Sequence, residues 1–399
     1  MSRLLIVAVI CSARVASAEP AEVTLDQAVA LYHERSPRLA AARATIEVTA
    51  ADLVDAGIYP NPSIAGSFSR TVQGTPTSGD SLSQAELDVP LLIGKRGQRK
   101  EAATRRIATT TAEVAANEAE GVHEVRRRFV ALLAAQERVA ALTAAVEDAH
   151  RVRTIVAGRA QAGAKSPYDL ERTDLAVATI ESRLAEATND RLVATEELAE
   201  AVGIPDWHPH AVGVFRPSES ALPGAVDPSH PALARPRAAE TQAQAEEELA
   251  HVEARPTPSL ALSGYKTNGP SGIGVTLGLS VPLPLFDRNQ GAVARAHANA
   301  HAAMLERAVT TFELGVALER GSHVLGVRRE ALAKFEADAI ARLPKLRTMA
   351  EDAYKSGQSG IVELLDALDA ISESRLRDIE LVQAVIDTEL DLRAAATGK

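Results

Sequence analysis

The chain tells the same local story twice, about 194 positions apart. Tyr59-Pro60-Asn61-Pro62-Ser63 is matched by Arg255-Pro256-Thr257-Pro258-Ser259, and Val89-Pro90-Leu91 by Val281-Pro282-Leu283. Ala162-Gly163 with Asp169-Leu170 is matched by Ser356-Gly357 with Glu363-Leu364. Each copy reads as strand hairpin, long helix, tip and returning helix. A unit of that length is far too long for a solenoid repeat. It implies a pseudo-symmetric body in which each half supplies equivalent pieces to one assembly. The first repeat is expected over 19–203, with a hairpin at about 60–92 and a tip at about 158–167. A connector follows over 204–228, rich in proline and turn residues. The second repeat spans 229–399, with a hairpin at about 257–283 and a tip at about 356–360.

The helical parts are long. Leu25 to Ala56 reads as helix with a break at Arg35-Ser36, because Pro37 starts a new segment. From Gln98 to Ala157 there is no proline and one glycine, Gly121. Sixty helical residues would span about 90 Å at 1.5 Å per residue. Val122, Val125, Phe129, Leu132, Val139, Leu142 and Val146 recur mostly three, four or seven apart, a coiled-coil-like seam with drift. The return runs from Tyr168 to Val202. In the second copy, helix is expected over Pro231–Ala254, then over Gln290–Leu343 until Pro344 kinks or ends it. It resumes to Lys355 and returns over Ile361–Ala396.

The strands carry the membrane signal. Ile273 to Val281 alternates bulky apolar with small or polar residues without exception, and nine residues with one apolar face fit a tilted outer-membrane strand. Leu260 with Leu262, and Ile64 with Phe68, alternate likewise. Ala85, Leu87 and Val89 alternate with Glu86 and Asp88, which puts two carboxylates on the opposite, lumenal face. A water-soluble hairpin with one buried face has the same pattern. The polar turns Gly74–Asp80 and Asn268–Gly272 suit an outside surface, and Tyr59, Phe68, Tyr265 and Phe286 form a thin aromatic girdle. Four strands are too few to close a barrel, and open edges cannot persist in lipid. Closure by oligomerisation is required, and three chains would give twelve strands.

At the amino terminus, Arg3, the apolar run Leu4–Cys11 and Ala16-Ser17-Ala18 form a secretory signal peptide over residues 1–18. Cys11 is the only cysteine and lies inside it, so the mature chain has no disulfide or thiolate metal site. No other segment offers about eighteen consecutive apolar residues. Loss of Arg3 and Arg14 makes the net charge of −10 more negative, which argues against nucleic acid and suits a cation-tolerant lumen. Aromatics at 3% are sparse for a globular enzyme. No nucleophile–base constellation, phosphate loop or complete metal site is present, and no cofactor is implied. His208 and His210 flank Pro209, but two ligands without a third are a weak zinc signal. His297 and His301 share a helix face without an evident acidic or cysteine partner.

Over essentially the whole mature chain, these motifs resemble the TolC-type outer-membrane efflux proteins. Val281-Pro282-Leu283-Pro284-Leu285-Phe286-Asp287-Arg288-Asn289-Gln290-Gly291, Gly94-Lys95-Arg96 and the Gly163-to-Leu170 tip are similar to the heavy-metal (cobalt-zinc-cadmium) subgroup typified by CzcC. The resemblance implies a mainly α fold with β. A homotrimer would form a twelve-stranded barrel in outer-membrane lipid, continuous with an all-α periplasmic barrel of long coiled-coil-like helices. Its tips would meet a periplasmic adaptor that joins it to an inner-membrane efflux pump. The implied function is non-enzymatic export of divalent heavy-metal cations through a tripartite system. The same channel could serve drug efflux or type I protein secretion, and a non-conducting periplasmic scaffold is the reading of another class.

The resemblance also assigns roles at the tips. Glu363 and Asp366, three apart on one helix face, are the expected periplasmic gate. Threefold symmetry would gather six carboxylates there, favouring cations. Tyr354 and Asp169 match positions that link neighbouring tip helices in the closed state, whereas Ser359 stands where a basic residue often completes that link. Gly163, Ser166, Gly357 and Gly360 are the expected adaptor-docking tips.

Overall fold

In the computed structural model, residues 21–74, 81–161, 167–218, 222–269 and 272–398 are described. Residues 1–18, Gly163 and Ser166 lie outside them. The elements run β1 (Glu22–Val23), α1 (Leu25–Arg35), α2 (Pro37–Gly57), β2 (Ser63–Arg70), β3 (Ser81–Pro90), α3 (Lys95–Gln161) and α4 (Pro167–Val202). They continue with β4 (His210–Ala211), α5 (Pro231–Glu253), β5 (Ser259–Thr267), β6 (Ile273–Ser280), α6 (Gln290–Asp338), a 3-10 turn (Ile340–Arg342), α7 (Leu343–Lys355) and α8 (Ile361–Thr397).

The chain forms two compact units, to both of which α3, α6 and α8 contribute. One gathers the residues up to Ser36 with Glu124–Pro217 and Glu330–Ile386. Its core follows the predicted seam: Val125, Phe129, Leu132 and Leu142 are buried, with Val139 and Val146 packed beside Leu142, Val177 and Ile180. The break before Pro37 falls where the sequence puts it. Thr24 caps α1 in a reciprocal box with Gln27, its amide donating to Gln27 Oε1 at 2.9 Å. The connector contributes β4, which pairs in parallel with β1. The Gln136 amide holds that edge, donating to the Ala211 carbonyl at 3.0 Å and accepting from its N–H at 2.9 Å.

One expectation fails. Helix α6 ends at Asp338 rather than Leu343, the chain tightens through the 3-10 turn, and Pro344 sits in the first turn of α7. Proline has no N–H for the carbonyl four residues back, and its ring crowds that carbonyl, so the disruption lies upstream of the proline itself. Among the described residues, one helix, α3, is long and apolar enough by composition to cross a membrane. The apolar stretch belongs to a 67-residue helix whose Val, Leu and Phe seam packs against its neighbours.

The other unit holds Pro37–His123, Ser218–Arg329 and the residues from Asp387 on. Its antiparallel sheet has the order β2-β3-β5-β6, so the two hairpins pair through their inner strands, across the duplication. The motif Gly94-Lys95-Arg96 joins both repeats just below the sheet. Arg96 Nε donates to the Gly57 carbonyl at the end of α2 at 2.8 Å, and Lys95 Nζ donates to the Glu253 carbonyl at the end of α5 at 3.2 Å. Cations at helix C-termini are favoured by the exposed carbonyls there. Glu253 is also paired with Arg99 at 2.6 Å. Burial pushes its carboxyl up, but the hydrogen bonds from Arg99 and Lys95 win and hold it below the ordinary range.

Candidate channel wall and periplasmic tip

Paired residues in the sheet share a face, so register sorts the side chains. Leu87 pairs Ile64 on one side and Leu262 on the other, and Leu262 pairs Leu277. Val89, Leu260 and Leu279 make the next row. This apolar face is bare: Val275 is 73% and Leu277 70% exposed. The opposite face carries Ser63, Gln84, Glu86, Asp88, Ser263 and Thr276 in matching rows. Both expected carboxylates therefore sit on the polar face, and no lysine or arginine of the four strands joins them there. Tyr265 departs from expectation. It points to the polar face, its ring lying where a Cβ on Gly274 would be, 2.2 Å from Cζ, so it covers a glycine instead of joining the girdle.

At the second tip, α7 ends in a Schellman motif. Gly357 has φ +78, its N–H donates to the Tyr354 carbonyl at 3.2 Å, and the Gln358 N–H donates to the Ala353 carbonyl at 2.9 Å. A side chain at 357 would be strained in that left-handed conformation. Gly360 does a different job: a Cβ there would come within 2.8 Å of the Glu363 carboxylate. Glu363, in the first turn of α8, thus folds back over Gly360, where the helix N-terminus favours negative charge. Asp366 is exposed one turn on, in a groove it shares with Arg172, Leu175, Thr179, Arg183 and Asp369.

Tyr354 is turned inward, 1% exposed, among Val152, Val156, Ile361 and Leu364. The sequence does not disclose its partner. Arg159, near the end of α3, lies 4.7 Å over the Tyr354 ring and donates to the Tyr354 and Lys355 carbonyls at 3.1 and 3.0 Å. A basic group therefore does meet Tyr354, but from the first tip rather than from position 359. Only the offset between the tips hints at it, since Arg159 precedes its own tip as Tyr354 precedes the other. Asp148, with its side chain 10% exposed, pairs with Arg347 of α7 and with Arg151 at 3.2 Å. Asp169, in the first turn of α4, accepts the Thr173 hydroxyl at its carbonyl.

The histidines form no metal centre among the described residues. His210 meets the Gln136 amide at 3.2 Å, and His208 is exposed. His297 does have an acidic neighbour, Glu247 of α5 at 2.8 Å, a contact the sequence hides because fifty positions separate the two.

A sheet with one bare apolar face and one acidic polar face, carried by doubled helical hairpins, is the fold of an outer-membrane channel subunit. Residues 29–204 match the family described as Outer membrane efflux protein. Over 370 residues the chain is 29% identical to the cobalt-zinc-cadmium resistance protein CzcC of Cupriavidus metallidurans, covering 89% of this chain and 85% of that protein. The solved structure of CusC has the same fold, with a TM-score of 0.77 at 17% identity over 94% of this chain and 92% of that one. The CmeC outer membrane channel of Campylobacter jejuni gives 0.79 at 17% identity over 94% and 85%. In sequence over residues 29–204, and in fold over nearly its whole length, the chain resembles the TolC-type outer-membrane efflux proteins. Its place is the outer membrane, with a periplasmic extension.

Proposed function

We propose that the chain is the outer-membrane exit duct of a tripartite pump and that it passes divalent heavy-metal cations. The observation that carries the cation reading is the charge of the pathway surfaces. Glu86 and Asp88 stand on the lumenal face of the sheet without a cation of the strands on that face, and Glu363 and Asp366 stand on the opening turns of α8. Three copies would close twelve strands and repeat each acidic pair three times, an arrangement that attracts cations and rejects anions. The similarity to a cobalt-zinc-cadmium resistance protein supports the metal cargo. The homotrimer, the periplasmic adaptor and the inner-membrane pump belong to the same proposal. Adaptor docking falls to the tips, at Gly357 and Gly360 and, in the first copy, at Gly163 and Ser166.

In this reading Glu363 and Asp366 form the gate, while Tyr354 and Asp169 join tip helices. Arg172 lines the Asp366 groove and tempers its charge. Planar-bilayer recording tests the assignment. Glu363→Ala with Asp366→Ala is expected to raise single-channel conductance and weaken cation preference, and unchanged selectivity would sink the gate. Equal protection of cells against drugs and no protection against metals would transfer the cargo to the drug-efflux reading.

A further inference from the structure

The sheet sorts its charges by face. Both acids of the strands, Glu86 and Asp88, point to the lumen, and both bases, Arg70 and Lys266, point to the apolar side. The bases are also confined to one end. Lys266 pairs Ser83 and Ile273, and Ser83 pairs Phe68 across β3, so Phe68, Ser83, Lys266 and Ile273 make one row. Arg70 pairs Ser81 in the next row toward the loops. Below them the same face is apolar through Leu87 and Val89. A cation on the lipid-facing side of a barrel is costly at mid-bilayer and nearly without cost at the interface, so these rows lie at the outer boundary of the membrane.

Between the two cations, β3 offers only small side chains, Ser81 and Ser83. The result is a dent with a hydroxyl floor, flanked by Arg70 and Phe68 on β2 and by Lys266 on β5. Asn268 fixes its upper rim, accepting from the Ser81 N–H at 2.9 Å. Arg70 and Lys266 stand about 7 Å apart along the strands and about 10 Å across them. Both are exposed, and long side chains at that spacing can converge on one headgroup. Arginine supplies planar, paired donors to phosphate oxygens and lysine a point charge.

From this placement we propose that Arg70, Lys266 and the Ser81–Ser83 floor bind the phosphate of an anionic lipid in the outer leaflet, while Phe68 packs on its acyl chain. This rests on the outer-membrane reading, and its failure is separable from failure of that reading. Full-length protein extracted from outer membranes is incorporated into nanodiscs of phosphatidylethanolamine doped with diphosphoryl lipid A or with dephosphorylated lipid A. Bound lipid is then counted by native mass spectrometry. Two cations at an anionic surface predict roughly thirtyfold preference for the phosphorylated form. Arg70→Gln with Lys266→Gln is expected to abolish that preference, and the charge-keeping pair Arg70→Lys with Lys266→Arg to retain most of it. Equal binding of both lipids by the wild type, or an unaltered preference in the double glutamine variant, overturns the proposal. So does displacement of the lipid by millimolar inorganic phosphate, which would make the site one for a free anion. Heat-modifiable migration confirms that each variant is folded; absence of the wild type from outer-membrane fractions would instead defeat the channel reading.

Discussion

The two ingoing helices of the duplication began from one plan and now differ in kind. Helix α3 runs unbroken for 67 residues, whereas its counterpart is cut at Ala339–Arg342 into α6 and a 13-residue α7. Pro344 makes the difference; the position about 194 earlier is His150, in mid-helix. The short piece is held by side chains where backbone continuity would otherwise hold it: Arg347 on Asp148, and Arg159 on the Tyr354 ring and two carbonyls. A continuous arm transmits force along its hydrogen-bond ladder. A segmented arm can be released by breaking a few polar contacts, which would suit the gate proposed at the second tip.

This contrast can be broken most violently by exchanging the cause. His150→Pro is expected to cost about 3 kcal/mol or more by interrupting α3, and to collapse the yield of folded protein in outer-membrane fractions. Pro344→Ala should leave that yield near wild type, since α7 already tolerates a helix start there. A smaller effect is expected from removing the ties. Arg159→Ala with Arg347→Ala gives up charge-assisted hydrogen bonds and leaves Asp148 half-satisfied, about 2 kcal/mol in all. Hydrogen exchange in α7 should then quicken about thirtyfold while α3 amides stay unchanged; equal acceleration in both arms would refute the distinction.

The smallest effect tests the surroundings of the end of α6. Asp378 of α8 is held above the ordinary carboxylate range, first by burial and then by Glu336, with Arg216 pulling the other way. The ionised form is therefore disfavoured in the folded chain, and the penalty is present at neutral pH. It is relieved as pH falls through the raised folded value, so acidification restores stability at this site. Asp378→Asn should stabilise by no more than about 0.5 kcal/mol at pH 7, given solvent screening. The gain should vanish below about pH 4, near the unfolded value. A thermal melt series across pH measures both.

Much of the fold was legible because its signals are local. Alternation from Ile273 to Val281 specifies a strand with one apolar face, and Pro37 specifies a break. The seam from Val122 to Val146 specifies which side of α3 packs. What escaped depends on pairs distant in sequence or on geometry that a pattern does not carry. The 3-10 turn lies upstream of the proline that causes it. Tyr265 obeys strand parity, which puts it on the polar face over Gly274 despite its aromatic type. Arg159 is unremarkable until folding sets it on Tyr354, and Glu247 meets His297 only after α5 and α6 pack. At the proposed gate, the sequence discloses the acidic residue types, Glu363 and Asp366. It does not disclose the fold-back of Glu363 over Gly360 or the Arg172 side chain in the Asp366 groove.

The inner pairing of the sheet joins Leu82 to Thr267 and Pro90 to Ser259. Each outer pairing closes within one hairpin, but this one must close a loop that includes both helices of the first tip. Loop-closure entropy and high contact order make it a slow step. Until the second hairpin has been synthesised and exported, the first has no neighbour on its inner edge and no wide apolar surface exists. The order of strands thus acts as a timer, keeping a chain bound for lipid compatible with water for most of its journey.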